Sequence, residues 1–211
     1  MSGVALVVIA KAPEPGRSKT RLCPPCTPEQ AAALADASLR DTIKAVAAAP
    51  ARRRIVALEG EPDGWLRPGF ELHQQRGNGL AERLGQALVA AGGPALVVGM
   101  DTPQLTGPLL REAARRLTEP GIDAVLGPAV DGGYWTIGLR RPDRSVFSGV
   151  PMSRSDTFAI QWRRLDSLGL RTTLLPPLRD VDTIEDAAAV ARASPGTEFA
   201  AALRRLGPST R

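Results

Sequence analysis

Apolar positions along this chain fall into two rhythms, and the alternation between them predicts its architecture. Short, nearly unbroken apolar runs at residues 4–10, 54–58, 95–99, 124–126, 135–139 and 171–175 have the length and β-branched content of buried strands. Between them lie longer amphipathic stretches at 27–48, 80–91, 107–117, 156–168 and 184–193, followed by a terminal helix over 197–206. Strands that alternate with helices predict an α/β fold, a mostly parallel sheet covered by helices on both faces.

Local chemistry sharpens several boundaries. Thr27-Pro-Glu-Gln opens the first helix as a cap with proline at the first helical position. Asp131-Gly132-Gly133, set between two short apolar runs, is a hairpin signal, so the strand at 135–139 is expected to run antiparallel and make the sheet mixed. Asp182 and Thr183, with Asp186 as the capping-box acid, suit the head of the helix at 184–193.

Length and composition change this picture little. At 211 residues the chain is expected to form one domain over 1–211, with 207–211 a frayed tail. Hydrophobic content of 43% and charged content of 23% suit a globular protein, and 4% aromatic content leaves the core to aliphatic residues and alanine. A net charge of +5 permits nucleic-acid binding, yet the arginines are scattered and no aromatic platform accompanies them, so no nucleic-acid partner is expected. The first apolar run is too short for a spanning helix and lacks a basic region before it, so no membrane partner and a cytoplasmic location are expected. Cys23-Pro-Pro-Cys26 is not read as a zinc site, because the chain has only these two cysteines and one histidine, His73. The sequence leaves the oligomeric state open, a homodimer included.

Five constellations carry candidate chemistry. The segment from Lys11 to Leu22 places Lys11, Arg17, Lys19, Arg21 and Gly16 in one loop at the carboxyl end of the first strand, where open α/β sheets hold ligands. Four cations this close repel unless an anion neutralises them, which a polyphosphate would do. The glycine spacings of a P-loop and of a dinucleotide turn are both missing. Asp101, followed by Thr102 and Pro103, ends the strand at 95–99 with a carboxylate that can meet Mg²⁺ or Mn²⁺ opposite the basic loop. Arg179-Asp180-Val-Asp182-Thr183 offers a second carboxylate, from Asp182 or from Asp180. Asp131, Gly132, Gly133 and Tyr134 form a candidate acceptor wall, where glycines let a ligand approach the backbone. Gln74, Gly77 and Gly79 lie in a polar stretch whose glutamine amide could read a nucleobase edge.

Taken in order, these motifs resemble the nucleotide-diphospho-sugar transferase superfamily with the glycosyltransferase-A fold, over about residues 3 to 190. Lys19-Thr-Arg-Leu22 and Arg40-Asp41 are similar to 2-phospholactate guanylyltransferase, and the plan is similar to molybdenum cofactor guanylyltransferase. Lys11 to Leu22, Gly99 to Pro103, Asp131 to Tyr134 and Asp180 to Thr183 resemble a bacterial subfamily labelled as radical-SAM-associated glycosyltransferases. Pro-Glu-Pro-Gly stands where the broader nucleotidyltransferase pattern has Gly-x-Gly. The resemblance implies a three-layer α/β/α fold, Asp101 and Asp182 as the metal pair, Lys19 and Arg21 as phosphate ligands, and Gln74 near the base. The fold serves nucleotidyl and glycosyl transfer alike, and the subfamily's label favours the sugar, but the density of cations in the first loop favours a Mg²⁺-dependent nucleotidyltransferase in which a small phosphorylated or carboxylated acceptor attacks a nucleoside triphosphate. In that reading Lys19, Arg21 and Asp101 carry the chemistry. Glycosyl transfer from a nucleotide-diphospho-sugar and non-catalytic nucleotide binding are the alternatives.

Overall fold

The computed structural model describes residues 3–207. Strands β1 (Ala5–Lys11), β2 (Arg54–Glu59), β3 (Glu71–Gln74), β4 (Ala95–Gly99), β5 (Ala124–Pro128), β6 (Tyr134–Leu139) and β7 (Thr172–Leu174) form one sheet in the order β3-β2-β1-β4-β6-β5-β7. β6 runs antiparallel to both β4 and β5, and every other pairing is parallel, so the expected mixed sheet is present. The expected helices form α1 (Pro28–Ala48), α2 (Leu80–Ala90), α3 (Gly107–Thr118), α4 (Thr157–Ser167), α5 (Ile184–Ala193) and α6 (Glu198–Arg205). Residues 208–211, most of the expected frayed tail, lie outside the described residues. Among the described residues no helix is long and apolar enough to cross a membrane.

The twofold side-chain alternation of β1 feeds two cores. Leu6 and Val8 pack with Leu39 and Ile43 of α1 and Leu110 of α3, while Val7 and Ile9 pack on the other face with Leu84 and Leu88 of α2 and Leu165 of α4. This is the three-layer arrangement. A third cluster explains why α1 is so rich in alanine: its outer side is covered too, with Ala31 and Leu34 meeting Val190 of α5 and Phe199 of α6. A helix buried on two sides needs small apolar residues where neighbours come close.

Caps decide where the helices begin. Gln30 N donates to Thr27 Oγ1 at 3.3 Å and Thr27 N donates to Gln30 Oε1 at 2.8 Å, a reciprocal box with Pro28 inside it. Thr183 and Asp186 make the same box at α5. The start of α6 uses a side chain from a distant element. Asp41 of α1 accepts from Glu198 N at 3.0 Å and from Phe199 N at 2.8 Å. Burial holds the Asp41 carboxyl above its usual range, against those two hydrogen bonds. Asp41→Ala would leave these donors without their acceptor beside a fully packed Phe199, and is expected to destabilise the fold by about 1–3 kcal/mol. Asp41→Asn, which keeps one acceptor oxygen, is expected to lose less in a chemical-denaturation comparison of the two.

The path of the chain creates a crevice. From β1 it winds outward through β2 to β3, then returns so that β4 pairs with the opposite edge of β1. Strand order reverses there, and in open α/β sheets such a switch point opens a ligand crevice at the carboxyl ends of the strands.

Candidate functional site

The basic loop leaves β1 at Lys11 and folds on itself through Glu14, whose carbonyl accepts from Arg17 N at 3.1 Å and Ser18 N at 3.0 Å. Gly16 takes the left-handed conformation this turn needs, at φ 73°. Lys19 takes it as well, at φ 49°, and a single 3₁₀ turn at Thr20–Leu22 then buries Leu22 completely. The structure corrects one expectation about this loop. Its cations do not wait for an anion, because each already has a carboxylate: Lys11 with Glu59 at 3.9 Å, Arg17 with Glu14 at 2.7 Å, Lys19 with Asp101 at 2.6 Å and Arg21 with Asp182 at 3.0 Å.

Asp101 and Asp182 are brought together by the backbone. Val181 N donates to Asp101 O at 2.9 Å, and Gln104 Nε2 donates to Arg179 O at 2.7 Å, so the loop after β4 and the loop before α5 are tied side by side. Because Thr183 takes the cap of α5, Asp182 is left to face the basic loop. The Lys19 ammonium sits between the two carboxylates, 2.6 Å from Asp101 and 3.8 Å from Asp182, and also donates to Val181 O. Asp180 lies just behind. Burial pushes its carboxyl up to about 7, reinforced by the charges of Asp101 and Asp131 and opposed by Lys19.

Two cavities meet at these carboxylates. The smaller, of about 270 Å³, is lined by Lys11, Arg17, Lys19 and Arg21 on one side and by Asp101 and Asp182 on the other. The larger, of about 640 Å³, shares Lys11, Arg21, Asp101 and Asp182 and extends over an apolar floor of Ile9, Val97 and Ile137. Its far wall is the expected hairpin turn. Gly133 N donates to Asp131 Oδ1 at 2.9 Å, which fixes that side chain, and Gly132 packs so closely that a Cβ there would stand 1.9 Å from Ser155 O. Tyr134 lines this wall, and burial raises its phenol above the ordinary range.

Oxygen donors dominate the junction. Asp180 Oδ1 and Thr102 Oγ1 are both shut off from solvent without a hydrogen-bond partner in the protein, and both residues line the larger cavity. An all-oxygen set with atoms left unsatisfied fits a hard divalent cation such as Mg²⁺ or Mn²⁺, which takes one or two carboxylates and completes its shell with phosphate and water. Among the described residues, no group of three or more His, Cys, Asp or Glu side chains stands ready to chelate a metal without a substrate.

Several nominated residues stand elsewhere. Gln74 belongs to β3, where its amide donates to Gly60 O at 3.2 Å, and it does not line either cavity; the neighbouring Gln75 does, anchored to Ala10 O at 2.6 Å and Ala57 O at 3.0 Å. Gly77 and Gly79 shape the entry to α2, with Asn78 N donating to Glu82 Oε2 at 2.8 Å, and neither faces the cavities; nor do Gly16, Pro103 and Gly132. Sequence reasoning missed Glu59 and Arg83, which pair across the larger cavity, and the segment from Met152 to Ser155 that forms its rim. Ser153 carries a signal only the backbone reveals, a non-glycine φ of 60° on a cavity wall.

A family model described as "Uncharacterized protein conserved in bacteria (DUF2064)" matches residues 33–154. No curated protein matches the sequence. Among solved structures, the chain is similar to a protein of Desulfovibrio desulfuricans G20 provisionally assigned as a nucleotide-diphospho-sugar transferase, at 29% identity and a TM-score of 0.87, over 97% of this chain and 95% of that one. It is similar in fold to 2-C-methyl-D-erythritol 4-phosphate cytidylyltransferase from Thermus thermophilus, at 15% identity and a TM-score of 0.56, over 92% of this chain and 100% of that one. It also shares its fold with a mannosyltransferase from Pyrobaculum calidifontis, solved with GDP-Man and Mn²⁺, at 14% identity and a TM-score of 0.55, over 95% of this chain and 64% of that one.

Proposed function

Because the chain belongs to the bacterial family DUF2064 and has the fold of the nucleotide-diphospho-sugar transferases, we propose that it is a metal-dependent transferase acting on an activated nucleotide, and that the transfer is nucleotidyl. The observation that carries this reading is the pair of cavities meeting at Asp101 and Asp182, one lined by cations and the other floored by apolar side chains. A nucleoside triphosphate has the same two halves. Its phosphates suit the chamber of Lys11, Arg17, Lys19 and Arg21, and its organic part suits the floor of Ile9, Val97 and Ile137. With a divalent cation on Asp101 and Asp182, Lys19 and Arg21 would be freed from those carboxylates for the phosphates, and a triphosphate offers them more charge than a diphosphate-sugar.

In this reading an acceptor oxygen, aligned by the Asp131–Gly133 turn, attacks the α-phosphorus. The bond to the β-phosphate oxygen breaks and pyrophosphate departs toward Lys19 and Arg21. The protein's work is positioning and charge neutralisation. Asp101 and Asp182, with Asp180 behind them, would hold Mg²⁺ or Mn²⁺, which when bound supplies Lewis-acid stabilisation of the phosphoryl oxygens. The assignment of the 29%-identical relative favours a second reading, glycosyl transfer from a nucleotide-diphospho-sugar.

Ligand stabilisation separates the two. Ligands that bind only the folded state raise its melting temperature, by an amount worth about 2.7 kcal/mol at a hundredfold excess over Kd. Wild-type protein with Mg²⁺ or Mn²⁺ is heated with each ribonucleoside triphosphate and with common nucleotide-sugars. Stabilisation by one triphosphate and not by its nucleotide-sugars supports nucleotidyl transfer and identifies the base. Stabilisation confined to a nucleotide-sugar supports the glycosyltransferase, and no stabilisation by any of them removes both.

A further inference from the structure

We propose, resting on the metal-dependent reading above, that Lys19 is an internal counter-ion that occupies the metal position and must be displaced for the divalent cation to bind. Three oxygens hold its ammonium: Asp101 Oδ1 at 2.6 Å, Val181 O, and Asp182 Oδ1 at 3.8 Å. Two of these belong to the carboxylates that suit the cation, so Lys19 and the ion compete for the same atoms. Lys19 is also poorly hydrated where it sits, with its side chain only 9% exposed. Its left-handed backbone, φ 49° and ψ 39°, is a conformation that non-glycine residues rarely adopt, and it points this one side chain between the two loops.

A second resting place is close by. Lys19 lines the smaller cavity together with Lys11, Arg17 and Arg21, so phosphates there would offer the displaced ammonium a new partner. The nucleotide then gains a cation at the moment the metal gains its carboxylates. Each ligand therefore assists the other, and by linkage the coupling is reciprocal. The consequence is a site that resists free divalent ions and admits them with the nucleotide.

Mn²⁺ binding, followed by the EPR signal of the free ion, tests this on the full chain without nucleotide. Lys19→Met removes the charge and is expected to tighten Mn²⁺ binding roughly tenfold or more, whereas Lys19→Arg keeps the charge and is expected to leave it as weak as in the wild type. A second measurement needs no variant. The chain has three lysines, Lys11, Lys19 and Lys44, so acylation by acetic anhydride can be read residue by residue by mass spectrometry. Saturating Mn²⁺ is expected to raise labelling of Lys19 relative to Lys44. Wild-type binding of Mn²⁺ that Lys19→Met does not tighten, or Lys19 labelling that stays constant through saturation, overturns the counter-ion and leaves the metal-dependent reading standing. No Mn²⁺ binding by wild type and Lys19→Met alike, either alone or with the nucleotide that stabilises the protein, overturns both.

Discussion

Replacing Asp101 by Asn is expected to lower transferase turnover by about a hundredfold or more while leaving the protein folded. The size follows from where Asp101 sits. Its carboxylate lines both cavities and bonds the Lys19 ammonium at 2.6 Å, while its backbone carbonyl accepts from Val181 N at 2.9 Å and ties it to the Asp182 loop. The backbone bond to Val181 survives the substitution, because it uses the carbonyl oxygen of Asp101, so the two loops stay side by side. What is lost is one negative charge. Lys19 keeps Val181 O and Asp182, and Asp180, which Asp101 pushes toward protonation, becomes easier to ionise. The site can thus rearrange its charges without unfolding, yet it has one fewer fixed carboxylate for the cation. The checks are turnover with the nucleotide found by ligand stabilisation, and a thermal unfolding curve of the same sample. Turnover within a few-fold of wild type in a folded Asp101→Asn protein would remove Asp101 from the chemistry.

Most of the sheet and all six helices were legible because their signals are local. The runs at 4–10, 54–58 and 95–99 are apolar on both faces, and the caps at Thr27 and Thr183 mark helix starts with one hydroxyl and one acceptor three residues on. β3 was not legible. Glu71–Gln74 is an edge strand with exposed and half-buried side chains, and its register comes entirely from pairing with β2. That miss propagated into the site, because successive residues at a strand end point in opposite directions, so Gln75 rather than Gln74 faces the cavity. The crowded cations misled in a different way. Arg17 pairs with Glu14 in its own loop, but the partners of Lys11, Lys19 and Arg21 are carboxylates at positions 59, 101 and 182, far away in sequence, and no local pattern announces such pairs. The choice of Asp101 and Asp182 as neighbours rested on resemblance, and the backbone bond that joins their loops spans eighty residues.

Gly132→Ala is expected to be the most damaging single-methyl addition near the site, costing about 2–4 kcal/mol of stability. Two costs add. Gly132 has φ 91°, where a Cβ is strained in any surroundings, and the new methyl carbon would lie 1.9 Å from Ser155 O and 2.6 Å from Ser155 C, inside backbone that has no rotamer to yield. Retreat is blocked as well, since Phe158 N donates to Gly132 O at 2.8 Å and pins the turn to the first turn of α4. Relief must therefore come from moving the Asp131–Gly133 turn or the rim at Ser153–Ser155, and both line the larger cavity. Gly149 supplies the control. It also has a positive φ, 75°, but nothing lies within 4 Å of the Cβ position, so Gly149→Ala is expected to cost only about 1–2 kcal/mol from backbone strain. Denaturant unfolding of the two variants measures the difference, which isolates the clash from the conformational term. Equal losses would mean that the turn and the rim do not press together as tightly as the acceptor wall requires.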